Sequence, residues 1–118
     1  MKISIPKETI QDESRVAATP QSVKELIKAG YKVNIETGAG TSSFISDNKF
    51  KNAGANIVNS TKELFKDSDI IIKVAAPTSD EIELMPKNSI LVSFFQPTIE
   101  LEKVKSISNK NICLLYTS

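Results

Sequence analysis

Alternating strand and helix signals predict an α/β chain with a doubly wound, mainly parallel sheet and helices on both faces. Three observations lead there. Short β-rich runs alternate with helix-capping patterns along the whole sequence, as βαβ units do. Two of the runs, 70–72 and 90–92, are continuously apolar, as strands covered on both faces are. The connections are short and carry no linker composition, which suits right-handed crossovers within one domain. The predicted class is Rossmann-like or flavodoxin-like, without the full dinucleotide fingerprint.

Each element has a local reason. Lys2–Ile5 is the first strand. Thr19 N-caps the first helix, with Pro20 at its first position, Val23, Leu26 and Ile27 on its inner face, and Gly30 as its stop. In Lys32–Glu36, Val33 and Ile35 alternate with polar residues, so this strand is half-exposed. A short helix lies between Asp47 and Ala53 and ends at Gly54, and residues 55–58 form the third strand. Ser60 to Glu63 fits a capping box ahead of Leu64 and Phe65. Strand 70–74 follows, then a second box from Thr78 to Glu81 whose helix Pro86 cuts short. After strand 90–94, Thr98 caps a helix carrying Ile99, Val104 and Ile107 that ends near Asn109. Residues 111–115 are the last strand.

Composition excludes more than it nominates. With 118 residues the chain fits one domain, and 40% hydrophobic residues suffice for a core. A net charge of +1 gives no electrostatic footprint for nucleic acid. There is no His, so no imidazole base or ligand is available, and a Ser–His–Asp triad is impossible. One Cys allows no intrachain disulfide and no Cys cluster for a metal. Asp67 and Asp69 lack further ligands, so no metal site is expected. The P-loop pattern and the G-x-S-x-G elbow are both missing. No apolar run approaches the ~20 residues of a membrane helix, nor is there a signal-peptide core. The chain is expected to be soluble and cytosolic.

In a doubly wound sheet, ligands sit at the carboxyl ends of the strands. Four places qualify: Pro6 to Glu8, Thr37 to Gly40, Lys73 to Pro77, and Phe95 to Pro97. The loop from Thr37 to Ser43 holds two glycines of a dinucleotide fingerprint, but Ser43 replaces the third and no helix follows directly. A glycine-shaped turn is the favoured reading there. Arg15 is the only arginine among 15 basic residues. Its planar fork can grip a carboxylate or phosphate with two bonds; the bland alternative is an ordinary surface arginine. Lys73, at the end of an apolar strand, is a cleft candidate, although snorkelling to the rim is the favoured reading. Asp80, Glu81 and Glu83 read as first-turn carboxylates favoured by the helix dipole.

These residues, taken together, resemble the N-terminal domain of the alanine dehydrogenase/transhydrogenase family. The matching pieces are Met1 to Glu8, Glu13 to Pro20, Gly38 to Gly40, Asp47, Ala53 to Ala55, and Lys73, Val74 and Pro77, in order and spacing to about Ile112. The alanine dehydrogenase branch reads K-V-K-E-P at the strand end, with its second Lys on substrate; here that position is Ala75. The same branch places a catalytic His after the next strand; here that position is Gln96. Both differences, with the segments around Ala75 to Pro77, Asp80 to Ile82 and Leu91 to Phe94, make the chain most similar to the alpha subunit of proton-translocating NAD(P) transhydrogenase.

The resemblance implies an oxidoreductase that binds NAD(H) and exchanges hydride with NADP(H) held on another subunit. It implies a beta subunit, a membrane-spanning part of the complex and a homodimer as partners, and a place at the cytoplasmic face of the inner membrane. It implies Arg15, Lys73 and Gln96 as cleft residues and assigns no catalytic residue. The fingerprint Rossmann domain with most NAD contacts is expected beyond residue 118, so the 118-residue piece is expected to be inactive alone. Residues 1–112 are read as this N-terminal domain. The hexapeptide 113–118 is also encoded by one frame of a common sequencing-library transposon end, so it is read as an adapter-derived tail; the alternative is a genuine strand, for which Leu114 and Leu115 are suitable residues. The alternatives are a divergent alanine dehydrogenase and a non-enzymatic flavodoxin-like binding module.

Overall fold

The computed structural model describes residues 1–10, 13–93 and 101–116. Its elements run β1 (Lys2–Ile5), α1 (Pro20–Lys28), β2 (Lys32–Glu36), a 3₁₀ turn (Thr41–Ser43), α2 (Asp47–Asn52), β3 (Asn56–Val58), α3 (Thr61–Phe65), β4 (Ile70–Lys73), α4 (Ser79–Leu84), β5 (Ile90–Ser93), α5 (Leu101–Asn109) and β6 (Cys113–Tyr116). The six strands form one sheet in the order β3-β2-β1-β4-β5-β6, and every pairing is parallel. This is the doubly wound α/β arrangement that the alternation predicts.

The caps act as the sequence foretells. The Thr19 side chain accepts from Ser22 N–H, and Pro20 occupies the first turn of α1. The Thr78–Glu81 box is complete, each side chain taking the other residue's backbone N–H. In α3 only half of the expected box forms, with the Ser60 hydroxyl accepting from Glu63 N–H. Thr98 and Ile99, expected at the start of α5, lie outside the described residues, as do Phe94 to Pro97.

Strand boundaries differ from expectation in β3, β4 and β6. β3 starts at Asn56 because Ala55 N–H still closes α2 by bonding Phe50 O, after Gly54 at φ +109°. β4 ends at Lys73 because Val74 N–H leaves the ladder for the Glu8 carboxylate. β5 ends at Ser93, and the residue beyond it is not described. β6 starts at Cys113 because Asn111 sits at φ +57°, a left-handed exit from α5 that asparagine tolerates.

Two cores flank the sheet. Ile3 and Ile5 of β1 and Val33 and Ile35 of β2 pack with Val23 of α1 and Phe50 of α2. On the other face, Ile71 and Leu91 pack with Leu64, Phe65, Ile82, Met85 and Ile107 from α3, α4 and α5. β1 shows the alternation directly, since Ser4 points the other way and its hydroxyl donates to Leu64 O of α3 at 3.0 Å. Coverage of β4 and β5 is complete on one face only: Ile71 and Leu91 are buried, while Ile72 and Val92 are half-buried. Right-handed crossovers put α4 and α5 on the same side, leaving the α1–α2 layer over β1 to β3. Lys73 lies two residues after Ile71, so it faces the layer that α4 covers.

Candidate functional site

The chain runs from β1 to β2 and β3, then returns to β4 on the other side of β1. That reversal opens a crevice at the carboxyl ends of β1 and β4, the position where such sheets bind ligands. Glu8 follows β1, Lys73 ends β4, and Val74 to Pro77 follow it. The structure places a charged network there.

Lys73 is buried, not snorkelled. Its Nζ lies 2.9 Å from Glu8 Oε1 and 3.3 Å from Glu81 Oε2. The three side chains are 1%, 2% and 7% exposed, so no water shell holds the ammonium. The period-two alternation of β4 turns Lys73 into the α4 side, where a snorkelling path to the rim is closed. Burying each ion costs on the order of several kcal/mol unless partners replace its water. The partners are present. Glu8 Oε1 also accepts from Ala75 N–H at 3.2 Å, and Glu8 Oε2 from Val74 N–H at 3.0 Å. Glu81 Oε1 accepts from Thr78 N–H at 2.8 Å, closing the capping box of α4. Val74 is held from its other side, where its carbonyl accepts from the Ser93 hydroxyl at 3.2 Å.

Arg15 grips a carboxylate, but one of its own chain. Its Nε and Nη2 donate to the two oxygens of Glu13 at 2.9 and 2.7 Å, and its backbone N–H adds a third bond at 3.0 Å. The hydrogen bonds from Arg15 hold the Glu13 carboxyl below its usual range, and Glu13 in turn raises Arg15. Arg15 is exposed, yet it also feels the Glu8 charge, and Glu13 feels Lys73. The structure thus pairs Arg15 with Glu13, and Lys73 with Glu8 and Glu81. Gln96, the third expected cleft residue, lies outside the described residues.

The glycine loop after β2 has a packing explanation. Gly38 adopts φ +77°, and a Cβ on Gly40 would lie 2.6 Å from Ile45 O and 2.7 Å from the Phe50 ring. Asp47 fastens the loop by accepting from the Thr37 hydroxyl at 2.6 Å and from Gly38 N–H at 3.0 Å. Glu36 ends β2, where a dinucleotide-binding sheet keeps the acid that reads the ribose. Here Glu36 Oε1 accepts from Lys7 N–H and from the Thr61 hydroxyl, both at 3.1 Å. The loop after β1 carries Lys7 and Glu8 in place of glycines. These residues do not form a cradle for a dinucleotide within this sheet.

Glu8 and Glu81 escaped sequence reading as partners of Lys73. Glu81 was explained by its capping role alone. The signal was the parity of β4, which sends Lys73 to a covered face, where a buried ammonium requires carboxylates from the neighbouring strand end and the following helix.

The sequence profile of the alanine dehydrogenase/PNT N-terminal domain matches residues 4–117. The chain belongs to this family. Alanine dehydrogenase from Methanococcus maripaludis is 40% identical over 112 residues, covering 95% of this chain and 30% of the relative. NAD(P) transhydrogenase subunit alpha from Haemophilus influenzae is 42% identical over 115 residues, covering 98% of this chain and 22% of the relative. A solved transhydrogenase from Sinorhizobium meliloti superposes with TM-score 0.90 at 29% identity, over 97% of this chain and 34% of that one. A solved L-alanine dehydrogenase gives TM-score 0.90 at 32% identity, over 97% of this chain and 31% of its own. This alanine dehydrogenase/PNT domain thus spans less than a third of the curated relatives it matches here. Both branches are oxidoreductases by name. No helix among the described residues is long and apolar enough to cross a membrane.

Proposed function

We propose that this chain is the N-terminal domain of the alpha subunit of a proton-translocating NAD(P) transhydrogenase. The observation that carries the reading is Ala75. It stands on the turn where the alanine dehydrogenase branch keeps its substrate lysine, and its N–H is tied to Glu8. A methyl group cannot hold a substrate carboxylate. The sequence also contains no His to serve as that branch's catalytic base, and Gln96 stands at its position.

On this reading the longer protein binds NAD(H), and NADP(H) sits on a partner subunit. The nicotinamide supplies the reactive hydride, while the protein supplies placement and electrostatics. The nucleotide phosphates are held outside this sheet, in keeping with the occupied Glu36 and the non-glycine loop after β1. The beta subunit, the membrane-spanning part, a homodimer and a location at the cytoplasmic face of the inner membrane belong to the same proposal. On this reading Arg15, held by Glu13 in this domain, is the cleft residue carried over from the family. In the longer protein, Arg15→Ala is expected to weaken NAD(H) binding or slow turnover; unchanged affinity and turnover would return Arg15 to the ordinary surface.

A second reading, a divergent alanine dehydrogenase, is supported by 40% identity to the Methanococcus maripaludis enzyme, as the first is by 42% identity to the Haemophilus influenzae subunit. It requires replacements in the cleft for the groups missing at Ala75 and Gln96.

A further inference from the structure

The turn after β4 is held from three directions, directly by Glu8 and Ser93 and indirectly by Glu81 through Lys73. From β1, Glu8 binds the N–H groups of Val74 and Ala75. From β5, Ser93 binds the carbonyl of Val74. From α4, Glu81 reaches Lys73, which reaches Glu8. Val74 is buried, and Ala75 is the first half-exposed residue beyond β4. Whatever residue 75 presents to the crevice is therefore set by where the Glu8 carboxylate lies.

Two carboxylates and one ammonium are an unneeded way to fill a buried volume. Apolar side chains of similar size are often as stable or more so. What an apolar filling cannot do is direct a carboxylate at two successive amides. We propose that Glu81 and Lys73 are positioning residues: they hold Glu8, and through Glu8 they fix the backbone of Val74 and Ala75 at the crevice wall. Lys73 then acts from beneath the crevice and makes no contact with a ligand. Glu81 ties that placement to the first turn of α4, since its other oxygen holds Thr78. The inference rests on the proposed crevice reading for its consequence in binding, but its structural content stands alone.

The test is amide hydrogen exchange on the 118-residue chain with Glu8→Gln, Lys73→Met and Glu81→Gln combined. The expected result is a urea midpoint near that of the parent chain, with exchange at Val74 and Ala75 faster by about tenfold and other core amides unchanged. Unchanged protection at those two amides, or a uniform loss across the sheet, overturns the proposal. If the triple variant does not fold, Glu81→Gln alone decides, because its amide oxygen can still cap Thr78 while the charge toward Lys73 is gone. It is expected to raise exchange at Val74 and Ala75 only; parental exchange there overturns the proposal. In the longer protein the same single variant is expected to raise the KM of hydride transfer at an unchanged urea midpoint. Unchanged KM and kcat in a protein whose parent is active would cut the link between turn and crevice. A parent without hydride transfer would instead overturn the functional reading, and the exchange result would still decide the positioning.

Discussion

Lys73 gains its ammonium partners from two different elements, so removing it strands two buried carboxylates at once. Lys73→Met is expected to cost about 3–5 kcal/mol, the usual penalty for breaking a buried ion pair from one side; urea denaturation of the variant measures it. Gly40 is a second residue where one atom decides. An added Cβ would meet a backbone carbonyl at 2.6 Å, which cannot swing away as a side-chain end can. Gly40→Ala is therefore expected to lower stability by about 1–3 kcal/mol, read as a drop in thermal midpoint. At this scale the sequence was legible where a rule is local. Thr19, Pro20 and Thr78 announce their roles within four residues of themselves. The Lys73 network was not legible, because its carboxylates lie 65 residues before it and in the helix after it. A single lysine at a strand end looks the same whether its face is open or covered.

The elements show the same division. The loop between β2 and α2 was read as a glycine-shaped turn, and Gly40 bears that out. The sequence places Asp47 only at the start of a short helix, so its clip on the loop comes from the structure. Its consequence is pH-dependent. The hydrogen bond from the Thr37 hydroxyl, then that from Gly38 N–H, hold the Asp47 carboxyl below its ordinary value of 3.8. A group lowered in the folded state adds stability that is complete above its unfolded value and lost as pH falls through the folded one. The contribution is thus present at neutral pH and disappears below about pH 4. Thr37→Val removes the largest cause, so its stability loss relative to the parent should be present at pH 7 and shrink toward pH 2. Denaturation series at both pH values check this, and a loss independent of pH would contradict it. Strand ends were the least legible features. β4 stops at Lys73 because a side chain from another strand captures Val74 N–H, and β6 starts late because Asn111 turns left-handed; neither event has a periodic signature.

For the whole molecule, the alternation of strands and helices was enough to predict the doubly wound sheet, but the parallel order β3-β2-β1-β4-β5-β6 comes from the structure. That order places the switch point between β1 and β4, and so narrows the four strand ends named from the sequence to two. The choice between two oxidoreductase branches is a matter of side chains in that crevice. Identity near 40% to both branches does not separate them, so the proposed choice rests on Ala75 and on Gln96 in a sequence without His. The decisive measurement assays the longer protein, together with its partner subunits, for two reactions side by side: NADH-dependent reduction of an NADP analogue, and NADH-dependent amination of pyruvate. The 118-residue chain serves as a third sample. The expected result is analogue reduction by the assembled protein, no pyruvate amination, and neither reaction from the short chain. Pyruvate amination without analogue reduction would contradict the transhydrogenase reading.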